Sequence, residues 1–247
     1  MTEVDLTVHP QAAPPSWPVG TDEAYAAARR TLAAAEQDLR DRLERVAAAR
    51  RALPPGPLLG DYRFTEGPAD LDHAEPTHEV RLRELFGGHH TLFLYHLMYA
   101  PDATEACPMC SLWVDGLHGV LPHLLRHTAV AVVAKAPLPR LRTWARRRGW
   151  TGLRIVSSHG TSFNADVRAE YPDGTQRPMV SVLRAEGDRV RHFYSAPASF
   201  PDGGERGIDL LSPVWNVLDL LPDGRGDWYA GNDYPSDPDG DGGPGRC

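Results

Sequence analysis

The sequence is poor in cysteine and lacks long apolar runs, and each scarcity excludes a class of protein. Three cysteines in 247 residues cannot build a disulfide-rich secreted scaffold. No segment approaches the roughly eighteen uninterrupted apolar residues that a membrane-spanning helix needs. The first residues also lack the basic region and apolar stretch of a secretory signal. These absences predict a cytoplasmic protein that has no contact with a membrane.

Positive charge is scarce as well. Twenty-six Lys and Arg residues stand against 33 Asp and Glu residues, which gives a formal net charge of −7 and a pI near 5.9. Nucleic-acid binding depends on a basic excess that neutralises phosphates, so no nucleic-acid partner is expected. The glycines form no phosphate-binding loop, and no serine lies in a Gly-x-Ser-x-Gly motif. Nucleotide chemistry and serine hydrolysis therefore have no support.

Composition divides the chain into four parts. Residues 1–20 are rich in proline, and residues 231–247 are mostly Gly, Asp and Pro, so both ends are predicted to be disordered. Residues 21–53 are rich in alanine, with leucines recurring on one face, which predicts a long helix capped by Thr21. This helix is expected to dock on the main domain or to pair with a second copy. The main domain is expected over residues 55–230.

Within the main domain, apolar strands alternate with amphipathic helices. Thr91–Ala100 is almost continuously apolar or aromatic, which predicts a strand buried on both faces at the centre of a sheet. Two more strands, Ala129–Ala134 and Leu153–Ser158, flank a helix over Pro137–Trp150, and Met179–Tyr194 forms a hairpin. Alternation of this kind predicts an α/β fold of thioredoxin-like order, with a central mixed sheet between helices and a long N-terminal helical extension.

A Cys-x-x-Cys pair follows the predicted central strand. Cys107 and Cys110 open a helix expected to extend to Arg126, with a kink at Pro122. A thiol at a helix N-terminus faces unpaired N–H groups and the positive end of the helix dipole, which favour the thiolate. This pattern predicts Cys107 as a nucleophile and Cys110 as the resolving thiol. The alternative is a pair of thiols without a chemical role, and Cys247 is expected to be an ordinary thiol.

Short motifs also follow one another in a fixed order from about residue 25 to residue 230. They are Arg50-Arg51-x-Leu53-Pro54, Tyr62-x-Phe64, Leu85-Phe86-x-Gly88, Tyr95-His96-x-Met98, Cys107-Pro108-x-Cys110, Asp115-Gly116, Gly149-Trp150, Val156-Ser157-Ser158, Phe163-Asn164-x-Asp166, Arg206-Gly207 and Leu218-Asp219-Leu220-x-Pro222-x-Gly224-Arg225. Together they resemble the bacterial thioredoxin-like family known as domain of unknown function 899, whose members are often labelled predicted dithiol-disulfide isomerases. The resemblance implies a thioredoxin-like fold, and the label rests on that fold and the dithiol.

Three further features have both a functional and a structural interpretation. Pro178 precedes the hairpin, where a thioredoxin-like redox site often has a cis-proline, although a trans proline at a strand start is equally expected. Asp115 could accept the proton of the resolving thiol, but a carboxylate on the helix surface is the simpler interpretation. The arginines between residues 140 and 148 are expected to form the solvated face of a helix.

Metal binding is the chemical alternative for the same cysteines. Two thiolates and one imidazole can hold copper, and the candidate set is Cys107, Cys110 and His96. His96 lies on a core strand, where a buried histidine with satisfied hydrogen bonds is more common than a ligand. The sequence shows no second Cys or His pair at zinc-ligand spacing. No cofactor is therefore expected, with copper as the alternative.

These observations predict a thiol–disulfide oxidoreductase that reacts through a mixed disulfide at Cys107, which Cys110 resolves. Its partner would be a protein or small-molecule disulfide or thiol. A copper-binding protein and a redox-inactive interaction module are the alternatives. The long N-terminal helix is also compatible with a homodimer.

Overall fold

The computed structural model describes residues 15–73, 75–200 and 207–233. The predictions of disorder for residues 1–14 and 234–247, and the role of Cys247, lie outside the described residues. The chain divides into two compact units at the bond between Leu53 and Pro54. Across the described ranges, every helix is too short or too polar to cross a membrane.

The first unit is one long helix, α1, which extends over Glu23–Arg51. Its cap is Asp22, whose carboxylate accepts the backbone N–H of Tyr25 over 2.8 Å. The predicted cap at Thr21 is wrong, because the Thr21 hydroxyl instead donates to the Pro18 carbonyl. A carboxylate is also better placed than a hydroxyl at the positive end of the dipole. The apolar stripe of α1 is exposed and consists of Leu32, Leu39, Leu43 and Val46.

The second unit is a mixed sheet with helices on both faces. Its elements in chain order are β1 (Arg63–Glu66), β2 (His78–Arg81), a 3-10 helix (Leu82–Phe86), β3 (Thr91–His96), α2 (Pro108–Leu124), β4 (Ala129–Ala134), α3 (Leu138–Arg148), β5 (Arg154–Ser157), α4 (Phe163–Asp166), β6 (Met179–Glu186), β7 (Arg189–Pro197), a second 3-10 helix (Asp209–Leu211) and α5 (Pro213–Leu218). The seven strands form one sheet in the order β2-β1-β5-β4-β3-β6-β7.

β3 lies at the centre of the sheet, as its apolar sequence predicts. It pairs in parallel with β4, from Leu92 opposite Ala129 to His96 opposite Val133. On its other side it pairs antiparallel with β6, where His96 lies opposite Met179. The parallel strands β3, β4 and β5 and the antiparallel hairpin β6–β7 confirm the predicted thioredoxin-like mixed sheet. β3 ends at His96, four residues before the predicted end of the strand.

Successive residues of β3 belong to different cores, because side chains alternate between the two faces of a strand. Tyr95 packs in a core with residues of α2 and α3. Leu94 packs in a second core with residues of the first 3-10 helix and of α4. The helix that carries the cysteines therefore covers one face of the sheet, and the other face has its own buried core.

Two local features differ from the predictions. No strand is predicted over His78–Arg81, which has no alternating apolar pattern, and only Val80 of its four residues is buried. β1 and β2 instead form a hairpin at the edge of the sheet, next to β5. The predicted end of the helix also differs, since α2 contains Pro122 without a split and ends at Leu124, two residues before Arg126. Pro122 lies in the last turn, where its missing N–H removes a single bond just before the helix ends.

Candidate functional site

The loop after β3 brings Cys107 to the N-terminus of α2. Cys107 is the N-cap residue, with φ −55° and ψ 127°, and Pro108 is the first helical residue. Proline suits this position because an N–H there has no acceptor within the helix. The backbone N–H of Cys107 donates to the Met98 carbonyl over 3.0 Å, which closes the loop. Cys107 therefore lies at the carboxyl end of the central strand.

The two cysteines differ in exposure. Cys107 is half-buried, whereas Cys110, one turn into the helix, is 1% exposed. Cys110 packs in the α2-side core with Trp113, whose ring stacks on Tyr95 at a centroid distance of 5.3 Å. Both cysteines are present as thiols. Cys107 is therefore the more exposed residue of the two, and Cys110 is enclosed in the core.

The first turn of α2 is fixed by a side chain from α3. The backbone N–H and the hydroxyl of Ser111 both donate to the Cys107 carbonyl, over 2.9 and 3.0 Å. The Ser111 hydroxyl in turn accepts the indole N–H of Trp144 over 3.1 Å. Ser111 is completely buried. Sequence reasoning missed this contact, because nothing in the sequence links residues 33 positions apart.

The position of Cys107 favours its thiolate form. The N–H groups at the start of a helix and the helix dipole stabilise a thiolate at the N-cap, and a thiolate is the nucleophilic form of cysteine. Cys110 lies one turn away in the same helix. The roles of the two thiols themselves stay predictions.

Arginines of α3 hold the loop that precedes Cys107. Arg140 donates to the carbonyls of Pro101 and Ala103 over 2.6 and 2.9 Å. Arg147 donates to the Glu105 carboxylate over 2.8 Å. The loop is thus anchored along its length on α3, which makes α3 a support for the dithiol.

The prediction that these arginines form a solvated face is wrong for part of the helix. Arg142 is 4% exposed and donates to the carbonyls of Pro68, Asp70 and His73 over 2.6 to 2.8 Å. Desolvation by burial lowers the pKa of Arg142. A guanidinium with five donors can satisfy several loop carbonyls at once, and a sequence pattern does not reveal those acceptors.

Asp115 forms hydrogen bonds with side chains at the end of α3 and just after it. Its carboxylate accepts hydrogen bonds from the guanidinium of Arg148 and from the indole N–H of Trp150, the latter over 2.7 Å. The Arg148 side chain is only 4% exposed. The carboxylate compensates a buried positive charge between α2 and the end of α3. A role for Asp115 as the proton acceptor of Cys110 stays a prediction.

Pro178 lies at the same end of the sheet as the dithiol. It directly precedes Met179, the residue of β6 opposite the last residue of β3. Its carbonyl accepts the N–H of Ala198 over 2.9 Å. Of the two isomers that the sequence leaves open for Pro178, the structure has trans, because the cis bond within the described ranges is Glu75–Pro76. A role for Pro178 beside the dithiol stays a prediction.

His96 lies on the face of the sheet opposite α2. Its ring stacks on Phe163 at 5.9 Å, in the core on the α4 side. Its Nε2 shares a hydrogen bond of 2.9 Å with Ser181, which is bonded through Ser195 to His192. Complete burial lowers the pKa of His96 to about 3, so the imidazole is neutral at pH 7. His96 Nδ1 is buried without a hydrogen-bond partner.

The copper alternative does not fit this geometry. Cys110 packs on the α2 side and His96 on the α4 side, so the sheet separates the imidazole from the sulfurs. Among the described residues, no three His, Cys, Asp or Glu side chains cluster where they could bind a metal ion. The predicted set of Cys107, Cys110 and His96 is therefore not assembled.

Several solved structures resemble this chain at low sequence identity. Plasmodium yoelii thioredoxin peroxidase I is 14% identical, with a TM-score of 0.44, over 72% of this chain and 100% of that chain. The reduced 2-Cys peroxiredoxin of Plasmodium vivax is 13% identical, with a TM-score of 0.43, over 67% and 94% of the two chains. A peroxiredoxin-like protein from Aquifex aeolicus is 12% identical, with a TM-score of 0.42, over 67% and 88%.

No curated protein matches the sequence. A family described as bacterial protein of unknown function, DUF899, matches residues 14–237, which include the whole sheet and the dithiol. The match covers most of the chain, in agreement with the motifs from Arg50 to Arg225. The chain belongs to the DUF899 family.

Proposed function

We propose that this protein is a thiol–disulfide oxidoreductase that reacts through Cys107 and Cys110. The observation that carries the proposal is the position of the two cysteines. Cys107 is half-buried at the N-cap of α2, and Cys110 is buried one turn further into the helix. The enclosed Cys110 is protected from external reagents and is near enough in sequence to close a ring with Cys107.

The reaction has two exchange steps. The Cys107 thiolate attacks one sulfur of a substrate disulfide, forms a mixed disulfide and releases the other sulfur as a thiolate. Cys110 then loses its proton to solvent and attacks the Cys107 sulfur, which releases the second substrate thiolate. The substrate gains two electrons, and the protein is left with a Cys107–Cys110 disulfide. An external dithiol reductant restores the two thiols by the same exchange, and no bound cofactor is needed.

Trapping of the mixed disulfide tests this order of events. In a Cys247→Ser background, the reduced protein is mixed with bis(2-hydroxyethyl) disulfide and quenched with acid, and its intact mass is measured. We expect Cys110→Ser to accumulate one hydroxyethylthio adduct at Cys107. The parent with both thiols should instead lose two hydrogens and carry no adduct.

The matched variant Cys107→Ser is the control. The buried Cys110 alone should form an adduct far more slowly than Cys107 alone. Equal adduct formation by the two single-cysteine variants, or a parent that never forms the internal disulfide, would contradict the proposal.

The oligomeric state forms a separate part of the proposal. Leu32 and Leu39 are seven residues apart on α1 and are 49% and 55% exposed. Apolar residues at this spacing pair helices in coiled coils. We propose a homodimer through α1, which light scattering would detect as twice the chain mass. Leu39→Glu should reduce that mass to one chain, whereas Leu220→Glu, at another exposed leucine, should not.

A further inference from the structure

A cavity of about 450 Å³ lies beside the loop that carries Cys107. Its volume falls within the range of roughly 300 to 1,000 Å³ that is typical of small-molecule sites. Two aromatic residues, two prolines and two arginines dominate its lining. They are Tyr99, Trp144, Pro137, Pro139, Arg140 and Arg147.

The walls of the cavity also support the dithiol. Trp144 donates to Ser111, whose hydroxyl donates to the carbonyl of Cys107. The phenol of Tyr99 donates to the carbonyl of Thr104, a lining residue in the same loop as Cys107. A molecule in this cavity would therefore contact the residues that hold the first turn of α2, where Cys107 is the N-cap.

The charged residues of the lining are both arginines, in a chain whose net charge is −7. Arg147 is neutralised from outside the lining by Glu105 and Asp233, over 2.8 and 2.5 Å. Arg140 differs, because its guanidinium donates to the backbone carbonyls of Pro101 and Ala103. Among the described residues no carboxylate forms an ion pair with Arg140, and its side chain is exposed.

We propose that this cavity binds a carboxylate group of the disulfide substrate, with Arg140 as the recognition residue. A carboxylate would supply the counter-charge that Arg140 lacks, through charge-assisted hydrogen bonds from its remaining N–H groups. The aromatic rings and the two prolines would pack against the apolar part of the same molecule. The inference rests on the proposed oxidoreductase function and adds a substrate class to it.

Two disulfides of similar length test the preference. The first is 3,3′-dithiodipropionate, which carries two carboxylates, and the second is neutral bis(2-hydroxyethyl) disulfide. With dithiothreitol as the reductant, we expect a higher kcat/KM for the dicarboxylate. Arg140→Gln should reduce the ratio of the two kcat/KM values about tenfold, since one charge-assisted contact is lost. Arg140→Lys keeps the charge and should retain most of the ratio.

The ratio of the two kcat/KM values distinguishes recognition of the carboxylate by Arg140 from support of the loop by the same side chain. If Arg140 only anchors Pro101 and Ala103, Arg140→Gln lowers both kcat/KM values equally and the ratio does not change, which overturns the proposal. Arg189→Gln is the matched control, because Arg189 is an exposed arginine at the far end of the β6–β7 hairpin. It should leave the ratio unchanged.

A binding measurement keeps this inference distinct from the proposed function. The thioether 3,3′-thiodipropionate has the same carboxylates but cannot exchange with a thiol. Calorimetry should show binding to the wild type that Arg140→Gln weakens by about tenfold, even if neither disulfide is turned over. Equal binding by both proteins, or none by either, overturns the carboxylate site. Absence of turnover with intact binding contradicts only the oxidoreductase function.

The carboxylate can come from a small molecule or from an acidic residue beside a protein disulfide. A disulfide-closed peptide with Glu next to one cysteine, compared with its Gln counterpart, distinguishes the two sources. A Glu preference that Arg140→Gln removes indicates a protein disulfide. Discrimination only between the two small disulfides indicates a small-molecule substrate.

Discussion

The indole N–H of Trp144 donates to the hydroxyl of Ser111 over 3.1 Å, between two side chains that are both buried. The bond joins α3 to the first turn of α2, and the same hydroxyl donates to the carbonyl of Cys107. Packing of two helices on one face of the sheet thereby determines the geometry of the N-cap. Substitutions of Ser111 and Trp144 can therefore measure how much this hydrogen bond contributes to the free energy of unfolding.

Ser111→Ala should destabilise the protein by about 1 to 3 kcal/mol, because the Trp144 donor is left buried without an acceptor. Trp144→Phe removes the donor itself. The double variant should therefore cost about 1 kcal/mol less than the sum of the two single variants. Urea unfolding of the wild type, the two single variants and the double variant gives this coupling free energy. Strict additivity would show that the hydrogen bond does not contribute.

Limited alkylation should label Cys107 well before Cys110. Cys107 lies at the N-cap and is half-buried, whereas Cys110 is 1% exposed. We expect a rate difference of about tenfold or more with iodoacetamide at pH 6. The two cysteines lie in one tryptic peptide, so fragment ions must assign the label. In urea the two rates should converge, and equal rates in the folded protein would mean that α2 does not activate Cys107.

Asp115→Asn should cost about 3 kcal/mol of stability without changing the reactivity of Cys107. The substitution removes the negative charge of Asp115 beside the guanidinium of Arg148, whose side chain is 4% exposed. Glu79→Gln is the control, because its ion pair with Arg63 is on the surface and should contribute less than about 1 kcal/mol. A slower closure of the Cys107–Cys110 disulfide in Asp115→Asn, with little loss of stability, would instead support the proton-acceptor role.

His96 should make stability depend on pH. Its pKa is about 3 in the folded state and 6.5 in the unfolded chain, so the unfolded state binds the extra proton between these values. Stability is therefore complete above pH 6.5 and falls as the pH decreases toward 3. The variant His96→Gln can still form a hydrogen bond with Ser181. Between pH 7 and pH 5 its free energy of unfolding should fall by about 2 kcal/mol less than that of the wild type.

The control for this pH dependence is His127→Gln, because His127 is exposed. Its unfolding free energy should follow that of the wild type at both pH values. If His96→Gln also follows the wild type, the imidazole is not held neutral by burial.

Much of the fold could be predicted from local pattern. The strand Ala129–Ala134 has the predicted bounds, because six consecutive small or branched apolar residues are typical of a strand buried on both faces. The central position of β3 follows from the same argument. β2 could not be predicted, because His78–Arg81 has one buried residue and depends on pairing with β1 to form a strand.

The candidate site likewise has one part that the sequence predicts and another that it does not. That Cys107 and Cys110 open a helix after an apolar strand can be read from the sequence, because the cysteine spacing, the strand and the proline are local properties of the chain. The side chains that surround the two cysteines depend on how the helices pack on the sheet. His96 is near them in sequence but on the other face of the sheet, Asp115 is paired with Arg148, and Trp144 and Arg140 come from α3 to the reactive turn. Such contacts join distant residues across a sheet and between helices, and the periodicity of a single segment carries no information about them.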